Sequence, residues 1–335
     1  MHPRQTTIKT IRKTSWFFVL AGCGLLMALS PACAVRQQLP AQVTPPTLTA
    51  SPNNTSPTLT PPLPTVTSSP QPSPSSTPIA DAEPTTKGTM ALPQPDALSA
   101  TLVDGVSWKV LVKEIGRPEA LFALNPNEEF HPASMLKIPL AMIVLDIQAK
   151  EGRNLAELSS VGIGNRNFSA LLEAMVVRSE NEATAILEYY ARGGNRLRDH
   201  LDGWGLAHTG FEPMRSTATD LGNALEGLYS GSFLQEPYRG YLLDLMESFT
   251  ENDTRYLGVI NDTLDGCQLY NKRGELLNPT VVSDMGILTC PNHAFVIVIS
   301  GTPAVDSQAT FESILVNLES FARELGTQLS GIIME

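Results

Sequence analysis

The feature that most limits what this chain can fold into is the stretch from residue 35 to 95. It is mostly Pro, Thr, Ser and Ala, with few large apolar side chains. Such a segment cannot bury enough apolar surface to offset the entropy of ordering it, so its composition predicts an extended, disordered tether. That leaves residues 96–335 for the folded part, enough chain for one well-buried domain. The net charge of −11 argues against nucleic acid as a partner. His131, His200, His208 and His293 fall in unrelated segments and lack metal-ligand spacing, so they read as surface or structural histidines. No metal or organic cofactor is implied.

Residues 1–34 read as an export signal. Arg4, Lys9, Arg12 and Lys13 form a basic start, and Trp16 to Leu29 form an apolar run short for a membrane span. Two processing sites compete. Leu20-Ala21-Gly22-Cys23 has the form of a bacterial lipobox, with Cys23 as the lipidated residue; Ala32-Cys33-Ala34 has the form of a signal-peptidase site. The apolar residues after Cys23 sit awkwardly with lipidation, whereas a long tether suits an anchored domain. An uncleaved signal anchor is the third reading. All three put the domain outside the cytoplasm of a bacterium, as an envelope-anchored lipoprotein or a secreted protein. Contact with the membrane is then expected only through this N-terminal anchor.

Within the domain, Ser107–Ile115 alternates apolar and polar residues and predicts a strand. Gly116-Arg117-Pro118 is a turn, and Ala120–Leu124 predicts a second strand. Met135–Ala149 is apolar on more than one face, as in a centrally buried helix. Helical patterns follow at 155–158, 168–177, 182–191, 196–204, 219–229 and 236–246. Strands are predicted at 268–272, 282–288 and 293–300, then a helix over 309–325. Strands at both ends with helices between describe an α/β fold, with an antiparallel sheet assembled from both termini, packed with helices, plus an all-helical lobe.

Three short motifs occur in order: Ser134-Met135-Leu136-Lys137, Ser179-Glu180-Asn181 and Lys272-Arg273-Gly274. The first precedes the apolar helix, the second precedes another helix, and the third lies on a late strand. This set resembles the Ser-x-x-Lys, Ser-Asp-Asn and Lys-Thr-Gly motifs of class A β-lactamases and penicillin-binding proteins, and the resemblance spans roughly residues 100–330. It implies the β-lactamase/transpeptidase-like fold with Ser134 as nucleophile. A lysine three residues on at a helix start shares the serine's face, and crowding and desolvation let it lose its charge and act as base. By the same resemblance Ser179 relays a proton to the leaving nitrogen and Asn181 holds the substrate amide. Lys272 attracts the substrate carboxylate, and Glu275 supplies the second oxyanion N–H from beyond Gly274.

The match is not complete. Glu180 replaces Asp and keeps the charge. Arg273 replaces Thr or Ser, so a hydroxyl facing the substrate carboxylate becomes a planar cation that either binds the carboxylate, fills the site or turns to solvent. Phe211-Glu212-Pro213 resembles the aromatic-Glu-Pro of the class A loop, which makes Glu212 the candidate deacylation base. The segment after it is shorter than the family's, which leaves a turn glutamate as the alternative. The resemblance implies a serine hydrolase that forms an acyl-enzyme at Ser134 and hydrolyses β-lactam amides. The alternatives are a penicillin-binding or DD-peptidase-like enzyme that deacylates slowly, and a non-catalytic domain that binds cell-wall peptide. A β-lactam or a cell-wall peptide is the expected partner, and a monomer the expected state.

Cys267 and Cys290 are the cysteines of the folded part. A hairpin turning near Asn278-Pro279 sets Lys272 opposite Met285 and, stepping outward, Cys267 opposite Cys290. A disulfide is expected there in an oxidising exterior, provided no bulge shifts the register.

Overall fold

The computed structural model describes residues 91–251 and 255–334. Residues 1–34, read above as an export signal, and all but the last five residues of the stretch read as a tether lie outside the described residues. The folded part starts ahead of Asp96. Leu92 is buried, and the Gln94 backbone exchanges two hydrogen bonds with the Gln328 side chain, at 3.2 and 2.8 Å. A short helix α1 (Pro95–Ala100) follows, with proline at its first position, where no intrahelical N–H is required.

Two strands come next, β1 (Val106–Glu114) and β2 (Ala120–Leu124). A 3-10 turn over Ala133–Leu136 runs directly into α2 (Lys137–Lys150). The helical section continues through a two-residue ladder of β3 (Gly162–Ile163) and β4 (Arg166–Asn167) to α3 (Phe168–Val176), α4 (Asn181–Arg192) and α5 (Arg196–Gly203). A second small ladder, β5 (Gly210–Phe211) and β6 (Met214–Arg215), leads to α6 (Ala218–Ser230) and α7 (Tyr238–Glu251). The chain closes with β7 (Gln268–Leu277), β8 (Thr280–Cys290), β9 (His293–Pro303) and α8 (Phe311–Ile333).

The large sheet has strand order β2-β1-β9-β8-β7 and is antiparallel throughout. Its two halves come from opposite ends of the domain and meet where β1 pairs with β9, from Val106 against Pro303 to Glu114 against Phe295. Period-two alternation divides β9 between two cores. Val296 and Val298 face the helical section, while Phe295, Ile297 and Ile299 face α8. The α8 stripe Ile314, Leu318, Phe321, Leu325 and Leu329 recurs at helical spacing and is buried against that second face.

Helix α2 lies in the middle of the other core. Ile138, Leu140, Met142, Ile143 and Leu145 are all fully buried, which accounts for a helix with no polar face. At about 1.5–3 kcal/mol per large apolar side chain buried, this segment is among the most firmly held. The residues it carries at its start are therefore fixed relative to the sheet.

On the sheet's edge, Lys272 pairs with Met285 and Gln268 with Thr289 in an unbroken ladder. The ladder extends through Arg273, Gly274 and Glu275 to Leu277, five residues past the strand end predicted from sequence. Cys267 and Cys290 are joined by a disulfide, with their Cα atoms 4.3 Å apart.

Candidate active site

Ser134 sits on the 3-10 turn, half-buried, at the mouth of the central helix. The backbone there is unusual: Ala133 has φ of 50°. This left-handed conformation disfavours most side chains and is held by its surroundings. The Ala133 N–H donates to His131 Nδ1 at 3.1 Å. Phe130 and Ser216 exchange backbone hydrogen bonds of 2.9 and 3.1 Å, tying the segment before Ser134 to the start of α6. His131 thus helps hold the serine turn, in keeping with its reading as a structural histidine.

Lys137 is the first residue of α2 and its side chain is buried. Its Nζ donates to the Ser179 carbonyl oxygen at 2.6 Å, Ser179 Oγ at 3.0 Å and Asn181 Oδ1 at 3.0 Å. Among the described residues these bonds of Nζ run to the second motif, not to Ser134. Burial lowers the Lys137 pKa to about 8. Ser179 itself has φ of 56°, a turn that brings its hydroxyl and its carbonyl to the same ammonium. Glu180 points elsewhere: its carboxylate accepts from Arg178 at 2.9 Å and from Arg166 at 3.3 Å, and Arg178 foremost holds its pKa below the usual carboxylate value. It braces the loop, and lengthening Asp to Glu leaves that role intact.

Lys272 is fully buried on β7. Desolvation first, and then the neighbouring charge of Lys137, lower its pKa to about 7. Gly274 is required where the strand crosses the serine turn. A Cβ there would sit 2.6 Å from the Pro132 carbonyl oxygen and from Ser283 Oγ, and 3.2 Å from the Ala133 Cβ. This close approach carries the backbone of Glu275 to the wall of the site. Arg273 Nε meets Glu275 Oε1 at 2.7 Å, and its guanidinium lies 5.4 Å from the ring centre of Tyr256.

Ser134, Lys137, Asn181 and Glu275 line one cavity of about 330 Å³, together with His131, Leu136, Thr184, Ala185, Glu188, Phe211, Met214 and Leu276. The volume suits a small molecule, and apolar walls with a few converging polar groups are the usual make-up of such a site.

Glu212 is placed differently from the expectation that it faces the acyl group. The connection is so short that Glu212 and Pro213 form the two-residue turn of the β5–β6 ladder. The Glu212 side chain is 78% exposed and meets Arg192 Nη1 at 3.2 Å. It lines a separate cleft with Arg192, Leu197, Arg198 and Leu201. The same arginine also donates to Glu188 Oε1, from Nε at 3.0 Å and Nη2 at 2.5 Å. Glu188, unlike Glu212, lines the Ser134 cavity, and sequence reasoning passed over it. The signal for it was present: Glu188 follows Asn181 by seven residues on α4 and so shares its helix face.

The fold is that of known β-lactamases and penicillin-binding proteins. The structure of PBP-A aligns with a TM-score of 0.59 at 17% identity, covering 72% of this chain and 98% of that one. The TLA-3 extended-spectrum β-lactamase gives 0.57 at 20% identity, covering 70% and 98%. A β-lactamase from Sphaerobacter thermophilus gives 0.55 at 20% identity, covering 69% and 95%. Among curated protein sequences none matches significantly. Residues 97–314, from α1 to the first turn of α8, match the Beta-lactamase enzyme family, and the chain belongs to that family.

Proposed function

We propose that this protein is a serine hydrolase acylated at Ser134 by β-lactams or related cell-wall peptides, and that it deacylates slowly. The observation that carries the first part is that Lys137 Nζ bonds both Ser179 and Asn181, joining the first two motifs, and that Glu275, the residue after the third motif, lines one cavity with Ser134, Lys137 and Asn181. With its pKa lowered to about 8, Lys137 has a neutral fraction at neutral pH that can take the Ser134 hydroxyl proton. The Ser134 oxygen then bonds the amide carbon, and the backbone N–H groups of Ser134 and Glu275 receive the oxyanion. As the carbon–nitrogen bond breaks, Ser179 passes a proton from the Lys137 ammonium to the leaving nitrogen. Lys272, close enough to Lys137 for their charges to interact, attracts the substrate carboxylate, and Asn181 orients the substrate amide.

Slow deacylation is favoured by the position of Glu212, exposed and paired with Arg192 on another cleft. An ester persists when no group activates water. Among the similar folds, one structure is an acyl-enzyme complex of a PBP-A variant with penicillin G. Incubation of the domain with a fluorescent penicillin, followed over time, tests both parts: a stable adduct fits the proposal, rapid turnover restores the hydrolase reading, and no adduct contradicts acylation altogether. An exported, envelope-anchored location is proposed alongside. The Cys267–Cys290 disulfide supports the export, since such bonds persist outside the cytoplasm.

A further inference from the structure

Of β7, Glu275 and Leu276 line the cavity, and Glu275 is tied to the charge of Arg273 beside it. Arg273 and Glu275 are two residues apart on one strand and therefore share a face, while Lys272 and Gly274 take the other. The Arg273 guanidinium is committed to Glu275 at 2.7 Å and rests over the Tyr256 ring. Glu275 also interacts with the Tyr256 hydroxyl, and desolvation together with the nearby Glu275 charge holds that hydroxyl protonated well above its ordinary range. The Glu275 carboxylate is thus fixed in place by donors from two elements. Its side chain remains 40% exposed, and its residue lines the cavity that holds Ser134. The cation that a substrate carboxylate would seek at this wall already has a carboxylate partner.

We infer that Glu275 is a specificity-determining residue that turns the β7 side of the cavity against acyl donors bearing a carboxylate there and toward donors that are neutral or cationic at that end. The inference rests on Ser134 being the acylated residue. A substrate carboxylate approaching Arg273 must displace Glu275 or lie beside it, and either route carries a like-charge penalty. Lys272 offsets that penalty incompletely, because with a pKa of about 7 it is only partly charged at neutral pH. A second carboxylate, Glu188, lines the same cavity, with its charge matched by Arg192. An ester, a carboxamide or an amine at the β7 end meets none of this repulsion.

The test compares second-order acylation rates of the full chain by benzylpenicillin and by its methyl ester, which differ in one charge. In Glu275→Gln the acid-to-ester rate ratio should rise about tenfold, the scale of one like charge a few ångströms away in a half-solvated site. In Arg273→Gln the ratio should fall, because Glu275 is left uncompensated. Added salt should raise the ratio in the unmodified protein and lower it in Glu275→Gln, where Arg273 is left uncompensated. The opposite signs separate this role from a general loss of structure. Adducts that form with an acid-to-ester ratio unchanged in Glu275→Gln overturn this inference alone. Absence of any adduct, with either compound in any variant, overturns the assignment of Ser134 and this inference with it.

Discussion

Lys137 Nζ lies 2.6 Å from the carbonyl oxygen of Ser179 and 3.0 Å from its hydroxyl, so the start of α2 and the turn before α4 converge on one ammonium. On the proposed mechanism the first motif supplies the group whose pKa is lowered, and the second supplies the hydroxyl through which its proton leaves. That relay depends on the distance between the two elements. The buried body of α2, packed against α4, sets that distance.

Replacing Lys137 with Met should lower the acylation rate by about 10²–10⁴-fold, the usual contribution of a general base. In the unmodified protein the rate should climb with pH through about 8, as Lys137 loses its proton. Rapid-mixing measurement of labelling across pH 6–10 checks both. A Met variant that keeps the same pH profile would assign the proton transfer to another group.

Lys272 makes folding stability depend on pH. Its native pKa of about 7 lies below the ~10.4 of an unfolded lysine. Between these values the unfolded chain binds a proton that the folded chain does not, so stability rises as pH rises through that window. Below about 7 both states are protonated and the effect stops changing. Lys137 contributes with the same sign. The urea midpoint should therefore be higher at pH 9 than at pH 6.5, and Lys272→Met should reduce that difference. Equal pH slopes for the variant and the parent would show that Lys272 keeps its ordinary pKa.

Glu212→Gln should change the deacylation rate by less than about threefold, far below the 10²–10⁴-fold expected of a true base. The side chain is paired with Arg192 outside the Ser134 cavity. Decay of a preformed penicillin adduct, followed by mass, measures this directly. An adduct trapped by the substitution would mean that Glu212 turns into the site during turnover.

The Cys267–Cys290 bridge closes a segment with a sequence separation of 23 that contains the whole third motif. On the chain-entropy account such a loop contributes about 3 kcal/mol, and Cys267→Ser/Cys290→Ser should lose that much in urea unfolding. Protein purified from the periplasm or the medium should show neither of these two thiols available for alkylation without reduction. Two free thiols there would rule the bridge out.

Much of this structure is legible in the sequence because its signals are local. The period-two pattern of Ser107–Ile115 and the all-round apolar run after Ser134 reflect burial on one face and on every face. The β7–β8 register was readable from the turn at Asn278-Pro279, because the ladder contains no bulge and each pair follows from the last. What escaped depends on contacts between distant segments. The two-residue ladders are too short to give a pattern. Strand β7 continues past Lys272 because ten residues pair with β8, against the weak strand preference of Gly274. The side on which Glu212 falls is set by how tightly β5 and β6 turn, and the partner of Lys137 by the left-handed backbone of Ser179.

The account stands or falls on the nucleophile. The direct measurement is covalent labelling of the purified domain by a fluorescent penicillin, with peptide mapping of the adduct, in the parent and in Ser134→Ala. Ser134 is a half-buried residue on a turn, and removing its hydroxyl should leave the thermal midpoint nearly unchanged. The prediction is a single adduct on the peptide carrying Ser134 in the parent and none in the variant. Labelling that persists in Ser134→Ala, or maps to another residue, would contradict it.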